Sequence, residues 1–259
     1  MSEDHWSEVA ADWAAAWGGF GEPAWHAVLA ASGAGPGTRV LDVGCGSGDF
    51  LAYAGKHGLL TSGADPAPGM LALARPRADE VREAGASSLP WPDSTFDLVT
   101  AFNSLQFAED IDDGLAEMAR VTRPGGHIAV ANWAERSLND LDALDRVLRD
   151  DPPLDALPPD ALPTDALPTD GGADGDLRAA GGLEELLTDG GLVVVAAGLV
   201  AVPWLVAGDD ALVRGILLGE DPALAPEVIA AATAFREEGG GYRFINHFRF
   251  AVGRTSAGS

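Results

Sequence analysis

The sequence predicts an α/β domain built on a largely parallel sheet, and three observations point there. Short apolar runs alternate with stretches of helical periodicity, the pattern of parallel strands joined by crossover helices. A glycine-rich turn, Gly44-Cys45-Gly46-Ser47-Gly48, follows directly on the run Arg39 to Val43. A carboxylate, Asp65, closes the next apolar run, about twenty residues beyond the first glycine.

From Asp4 to Trp17 the large apolar residues Trp6, Val9, Trp13 and Trp17 recur in steps of three and four, which places them on one helical face. A second helix is expected from Pro23 to Ser32, with proline in its first turn and Gly33 after its end. Arg39 to Val43 reads as a strand, Asp49 to about Gly58 as a helix, Leu59 to Ala64 as a strand, and Pro66 to Arg75 as a helix stopped by Pro76. Together these make a βαβ unit. A weak strand at Asp79 to Ala84, a firm one at Phe96 to Phe102, a helix at Asp112 to Thr122 and a strand at Gly126 to Trp133 continue the alternation.

Leu138 to Arg149 reads as a helix, and after it the regularity stops. Asp155-Ala156-Leu157-Pro158, Asp160-Ala161-Leu162-Pro163 and Asp165-Ala166-Leu167-Pro168 repeat at a five-residue period, and prolines at that spacing forbid a continuous helix or a central strand. The region at about 150–176 is therefore expected to be a Pro/Asp-rich surface insertion. The fold resumes with helices at Gly182 to Thr188, Asp209 to Leu218 and Pro226 to Glu237, a strand inside Leu192 to Val202, and an alternating last strand from Tyr242 to Val252. Gly191 to Ala207 is apolar, yet it carries Pro203 and is too short to span a bilayer, so a buried strand is the reading. The expected division is an N-terminal helical cap segment, 1–35, and an α/β domain, 36–259, carrying the insertion.

Charge narrows the partners. Sixteen basic against 40 acidic side chains give a net charge of −24, which repels phosphate backbones and anionic bilayers and leaves small molecules as ligands. One cysteine makes no internal disulfide, and Met1 to His5 lacks the basic and apolar regions of a signal peptide, so a cytoplasmic location is the expectation. His5, His26, His57, His127 and His247 lack ligand spacing with acids or with Cys45, so no metal is expected.

Glycines at 44, 46 and 48 let the backbone turn tightly and let a ligand approach where a Cβ would collide, while the next helix points free N–H groups at that place. Position 49 is Asp where a dinucleotide fingerprint needs glycine or alanine, which suits a neutral or cationic ligand better than a pyrophosphate. Asp65 stands where a carboxylate accepts hydrogen bonds from both hydroxyls of a ribose. A nucleoside is indicated. Cys45 reads as a small spacer between glycines.

Four stretches now carry a resemblance: Val40 to Gly48; Gly63 to Leu71; Leu89-Pro90-Trp91-Pro92-Asp93-Ser94-Thr95-Phe96-Asp97-Leu98-Val99; and Arg120-Val121-Thr122-Arg123-Pro124-Gly125-Gly126. In order and spacing the chain resembles a class I S-adenosylmethionine-dependent methyltransferase of the small-molecule "type 11" group, best over residues 36–133. The resemblance implies a doubly wound, Rossmann-like seven-stranded sheet, mostly parallel with an antiparallel last strand, under a helical cap. It implies that S-adenosylmethionine is the cofactor. Asp42 and the Gly44, Gly46 and Gly48 backbone would hold the methionine part, Asp65 the ribose, and Pro66 and Met70 the adenine, with Asn103 and Gln106 beside the carboxylate and methyl group. The family's last strand is antiparallel, so its start, Tyr242 and Arg243, would lie near the acceptor; Arg243 would fix an anionic or carbonyl group, a surface salt bridge being the plain alternative. Phe107 and Trp133 would wall the acceptor pocket or simply be core. His5, on a helix that in this family commonly folds over the cofactor, is a weak candidate for general base.

One position departs. The family's adenine-binding aspartate is Gly85 here, leaving Ser87, Ser88 or Glu83 as substitutes. The leading expectation is in-line methyl transfer to a small-molecule acceptor. The rival is a protein of the same fold with a non-methylating role, as a cyclase-type enzyme or a partner-binding subunit in biosynthesis.

Overall fold

In the computed structural model, which describes residues 3–148 and 177–257, helices α1 (Glu3–Trp17) and α2 (Glu22–Ser32) precede β1 (Arg39–Val43), α3 (Asp49–Lys56), β2 (Leu60–Asp65), α4 (Pro68–Ala74), β3 (Glu80–Glu83) and β4 (Phe96–Phe102). There follow α5 (Ile111–Val121), β5 (Thr122–Trp133), α6 (Asp140–Leu148), α7 (Gly182–Asp189), β6 (Val193–Ala201), β7 (Trp204–Val206), α8 (Asp209–Leu217), α9 (Ala225–Ala231), β8 (Tyr242–Phe244) and β9 (His247–Arg254). Seven strands make one sheet in the order β3-β2-β1-β4-β5-β9-β6. β9 runs antiparallel to both neighbours and the other pairings are parallel. This is the expected doubly wound, Rossmann-like sheet. The expected insertion at 150–176 lies outside the described residues.

Alternation along each strand splits the core into two layers. Leu41, Val43, Val99, Ile128 and Val130 face α5 and α7, where Leu115, Met118, Leu183 and Leu187 meet them. Val40, Leu98, Ala129 and Val252 face α2 and α3, against Val28, Leu29, Phe50 and Leu51. α2, which falls within the expected cap segment, thus packs on the sheet; Gly33, at φ 67°, caps its end with an N–H to the carbonyls of Ala30 and Leu29.

The structure corrects the last strand. The expected run from Tyr242 to Val252 breaks at Ile245-Asn246, and its first part pairs with β7 in a separate two-stranded sheet, Trp204 opposite Phe244 and Val206 opposite Tyr242. The break has a local cause: the buried Asn246 side chain accepts from the Leu141 N–H, and its carbonyl accepts from Val202 N–H at 2.7 Å. Around the small sheet, Leu144, Leu212, Leu217, Val228, Tyr242 and Phe244 form a third apolar cluster, joined by Trp17 from α1.

α1 closes over the start of α4. Trp6 and Trp13 pack with Ala10, Ala67 and Met70, and the Ser7 hydroxyl accepts from the Gly69 N–H. A Cβ added to Gly69 would lie 2.4 Å from the Ser7 carbonyl oxygen, inside the backbone of the crossing helix. Gly69→Ala is therefore expected to lift α1 from α4 while leaving the sheet folded. Limited proteolysis should cut between α1 and α2 faster in the variant, and an unchanged cutting rate would show that the two helices are not locked at this crossing.

Candidate cofactor and acceptor site

The sheet changes winding direction between β1 and β4, and in such folds the crevice beyond the strands' carboxyl ends at that point receives the ligand. There the chain makes its glycine turn. Gly44, Gly46 and Gly48 all have left-handed backbone, at φ 71°, 51° and 82°, but for different reasons. A Cβ on Gly44 would meet Ser104, and one on Gly48 would lie 2.9 Å from the Ala74 backbone, so both glycines serve close packing. A Cβ on Gly46 would meet nothing within 4 Å. The open cradle is at Gly46 alone.

Two carboxylates flank it. Asp42 is buried and accepts from the Thr100 hydroxyl at 2.7 Å, its partner across the parallel β1–β4 register. Burial pushes its carboxyl up to about 8 against the Thr100 hydrogen bond, with the nearby Asp65 charge adding to the rise. Asp65, at the end of β2, accepts from the N–H groups of Gly46 at 2.8 Å and Ala67 at 2.9 Å. Burial also raises its carboxyl, those two donors oppose it, and Glu3 on α1 raises it further. Two buried acids whose carboxyls are both raised by burial make a site that gains from a positive ligand. The same charges and burial push the Cys45 thiol up, which fits a spacer and not a nucleophile.

Asn103 follows β4 in left-handed backbone at φ 51°, its N–H donating to Ala131 at 2.7 Å and its side-chain oxygen accepting from Gln106 at 2.9 Å. Pro66 is half-buried beside Asp65, and Met70 is buried beneath α1. Ser87 and Ser88 are exposed in a turn where the Ser88 N–H donates to Gly85, and Gly85 faces open space. Glu83, paired in register with Asp65, is also exposed. Phe107 closes the short helical turn Leu105–Phe107 that follows β4, Trp133 ends β5, and His5 lies edge-on to Trp6 at 6.1 Å.

The break in the last strand puts Tyr242 and Arg243 in β8, ahead of β9, which starts opposite Trp133 at the carboxyl end of β5. Both sit in the two-stranded sheet: Tyr242 donates to Asp209 and accepts from Arg236, while Arg243 pairs with Glu237 at 2.6 Å, both half-exposed. Sequence reading missed Thr100 and Ser104, whose hydroxyl donates to Val43 under the glycine turn. Pairing β1 with β4 in register would have found Thr100.

Residues 41–130 match the family described as a methyltransferase domain. Over this segment the chain is similar to a methyltransferase domain. Methyltransferase domains of this type use S-adenosylmethionine as methyl donor, and the residues present fit a cationic ligand of that kind: backbone open at Gly46, with the buried acids Asp42 and Asp65 beside it. The chain is 38% identical over 116 residues to the malonyl-[acyl-carrier protein] O-methyltransferase of Pectobacterium atrosepticum, covering 44% of this chain and 46% of the relative. It is 42% identical over 106 residues to a demethylmenaquinone methyltransferase of a Mycobacterium species, covering 40% and 46%. The chain thus spans 41% to 50% of the length of these curated relatives. The solved structure of the [4+2]-cyclase SpnF aligns at TM-score 0.54 and 19% identity over 91% of this chain and 80% of that one. This last likeness concerns the fold. Among the described residues no helix is long and apolar enough to cross a membrane.

Proposed function

We propose that this chain transfers a methyl group from S-adenosylmethionine to a small-molecule acceptor by in-line displacement. The observation that carries the reading is the open space over Gly46 between two buried, raised carboxylates. Bound there, the cofactor supplies a methyl carbon already activated by a sulfonium leaving group. Asp42 and the glycine-turn N–H groups hold the amino-acid end, and Asp65 holds the ribose hydroxyls through the lone pairs that Gly46 and Ala67 leave free. Asn103 and Gln106, fixed to each other, orient the reacting end. The chain's contribution is alignment and exclusion of water, which needs no catalytic triad. A protonated acceptor gives its proton to a base or to solvent.

Two methyltransferase relatives with small or carrier-bound acceptors support this class of acceptor. Gly85, open and without a side-chain acceptor for an adenine amino group, favours the second reading: a non-methylating cyclase-type or partner-binding role in the same pocket. Calorimetric titration with S-adenosylhomocysteine separates binding from chemistry, and mass spectrometry for a 14 Da gain decides the rest. Heat of binding plus an acceptor gaining 14 Da in an Asp65-dependent manner is expected. No heat and no thermal shift at millimolar ligand would refute the proposal, and binding without any methylated product would leave only the second reading.

A further inference from the structure

Seven tryptophans are an unusual load for a chain with only two tyrosines, and most of them converge on one place. Phe107, 40% exposed just beyond β4, lies edge-on to Trp6 at 5.9 Å. Trp6 meets Trp13 edge-on at 5.1 Å, and Trp13 stacks on Trp17 at 5.9 Å. Trp17 meets Phe20 at 5.3 Å, and Phe20 meets Trp133 at 5.2 Å. The row starts just beyond β4 and finishes at the end of β5. Both ends therefore flank Asn103, whose N–H is bound to Ala131, two residues before Trp133. A continuous row of rings thus runs past Asn103 and Gln106, the pair proposed to orient the reacting end.

Their polar edges differ. The indoles of Trp17 and Trp204 donate to the carbonyls of Gly215 and Ala16, so these rings are fixed structural members. The indole N–H groups of Trp6, Trp13 and Trp133 meet no acceptor among the described residues, although each ring is half-buried. Gln106 spends its amide N–H on Asn103 and keeps its carbonyl oxygen for another donor. No lysine or arginine belongs to the arc, so a carboxylate there would meet N–H donors but no positive side chain.

We infer that this arc is the acceptor site and that it takes a flat, uncharged aromatic ring bearing a hydroxyl group. The assignment rests on the methyl-transfer reading for its meaning but not for its detection. Ring faces stack on an aromatic ligand, the free indole N–H groups donate to its oxygen, and the Gln106 carbonyl accepts its O–H. A carboxylate ligand would enter a site with no countercharge inside a chain of net charge −24.

The probe is 1-naphthol, with cyclohexanecarboxylate as the anionic, non-aromatic control, each titrated calorimetrically into the full chain with and without S-adenosylhomocysteine. Naphthol is expected to bind and the control not to. Trp6→Leu, which keeps an apolar side chain but removes the ring and its N–H, is expected to weaken naphthol binding at least tenfold with S-adenosylhomocysteine binding retained. Phe107→Leu, at an exposed position, gives the same readout should Trp6→Leu fail to fold. Naphthol binding that is absent in both states, equal to that of the control, or unchanged in the folded variants overturns the assignment. Naphthol binding that depends on Trp6 in a chain that ignores S-adenosylhomocysteine upholds the aromatic site and refutes the methyl-donor reading instead.

Discussion

Asp42→Asn is expected to make the protein more stable and to cost it most of its cofactor affinity. The Asp42 carboxyl, pushed up to about 8 by burial, keeps its proton in the folded chain, whereas in the unfolded chain it ionises near its ordinary value of 3.8. Between those values the unfolded state has lost a proton that the folded state still binds, so folding stability falls as pH rises, by about 1.4 kcal/mol per unit. Asparagine has the shape of the protonated acid, keeps an oxygen for the Thr100 hydroxyl and never ionises. Its melting temperature should exceed that of the parent by a margin that widens from pH 5 to pH 8 and is small at pH 4.

Binding runs the other way. A ligand ammonium group favours the ionised acid, so affinity for S-adenosylhomocysteine should rise with pH below 8 in the parent, by at most about tenfold per unit. The asparagine variant should bind weakly and with a flat profile over that range. Calorimetry at four pH values reads both effects. Equal affinities and parallel pH profiles would remove Asp42 from the site.

The second large effect separates the glycines. Gly46→Leu is expected to fold, because the new side chain enters open space and the left-handed backbone costs only about 1–2 kcal/mol. It should nonetheless abolish S-adenosylhomocysteine binding, since the leucine fills the cradle. Gly48→Leu meets the Ala74 backbone 2.9 Å away and has φ 82°, so it should fail to fold or melt far below the parent. Circular dichroism melts of the two variants, with ligand titration of the first, check the pair; a Gly46→Leu chain that binds normally would place the ligand elsewhere.

The βαβ unit was legible because its signals are local. A strand ending in a glycine turn, a helix opened by Asp49 and an acid closing the next strand are each written within a few residues. The three glycines look alike in sequence, and only the neighbours brought by the fold, Ser104 and Ala74, show that Gly46 alone lies open. The break at Ile245-Asn246 was hidden because burial alternates through it: Tyr242, Phe244, Asn246 and Phe248 are all buried, although two sheets share them. β7 was missed for a related reason, since three residues after Pro203 carry no periodicity of their own and are held by β8. Arg243 lies in that separate pair of strands, and its ion pair with Glu237 is the plain alternative the sequence already offered. The ring arc was half legible: Trp6, Trp13 and Trp17 share a helical face, but their meeting with Phe20, Phe107 and Trp133 is tertiary.

A crystal structure of the chain grown with S-adenosylhomocysteine shows whether the nucleoside lies over Gly46 between Asp42 and Asp65. The expected density is a nucleoside whose ribose hydroxyls lie within hydrogen-bond distance of the Asp65 carboxylate and whose amino-acid end crosses Gly46 toward Asp42. Density for the nucleoside at any other place on the chain, with the space above Gly46 closed by the chain's own side chains, would contradict that placement.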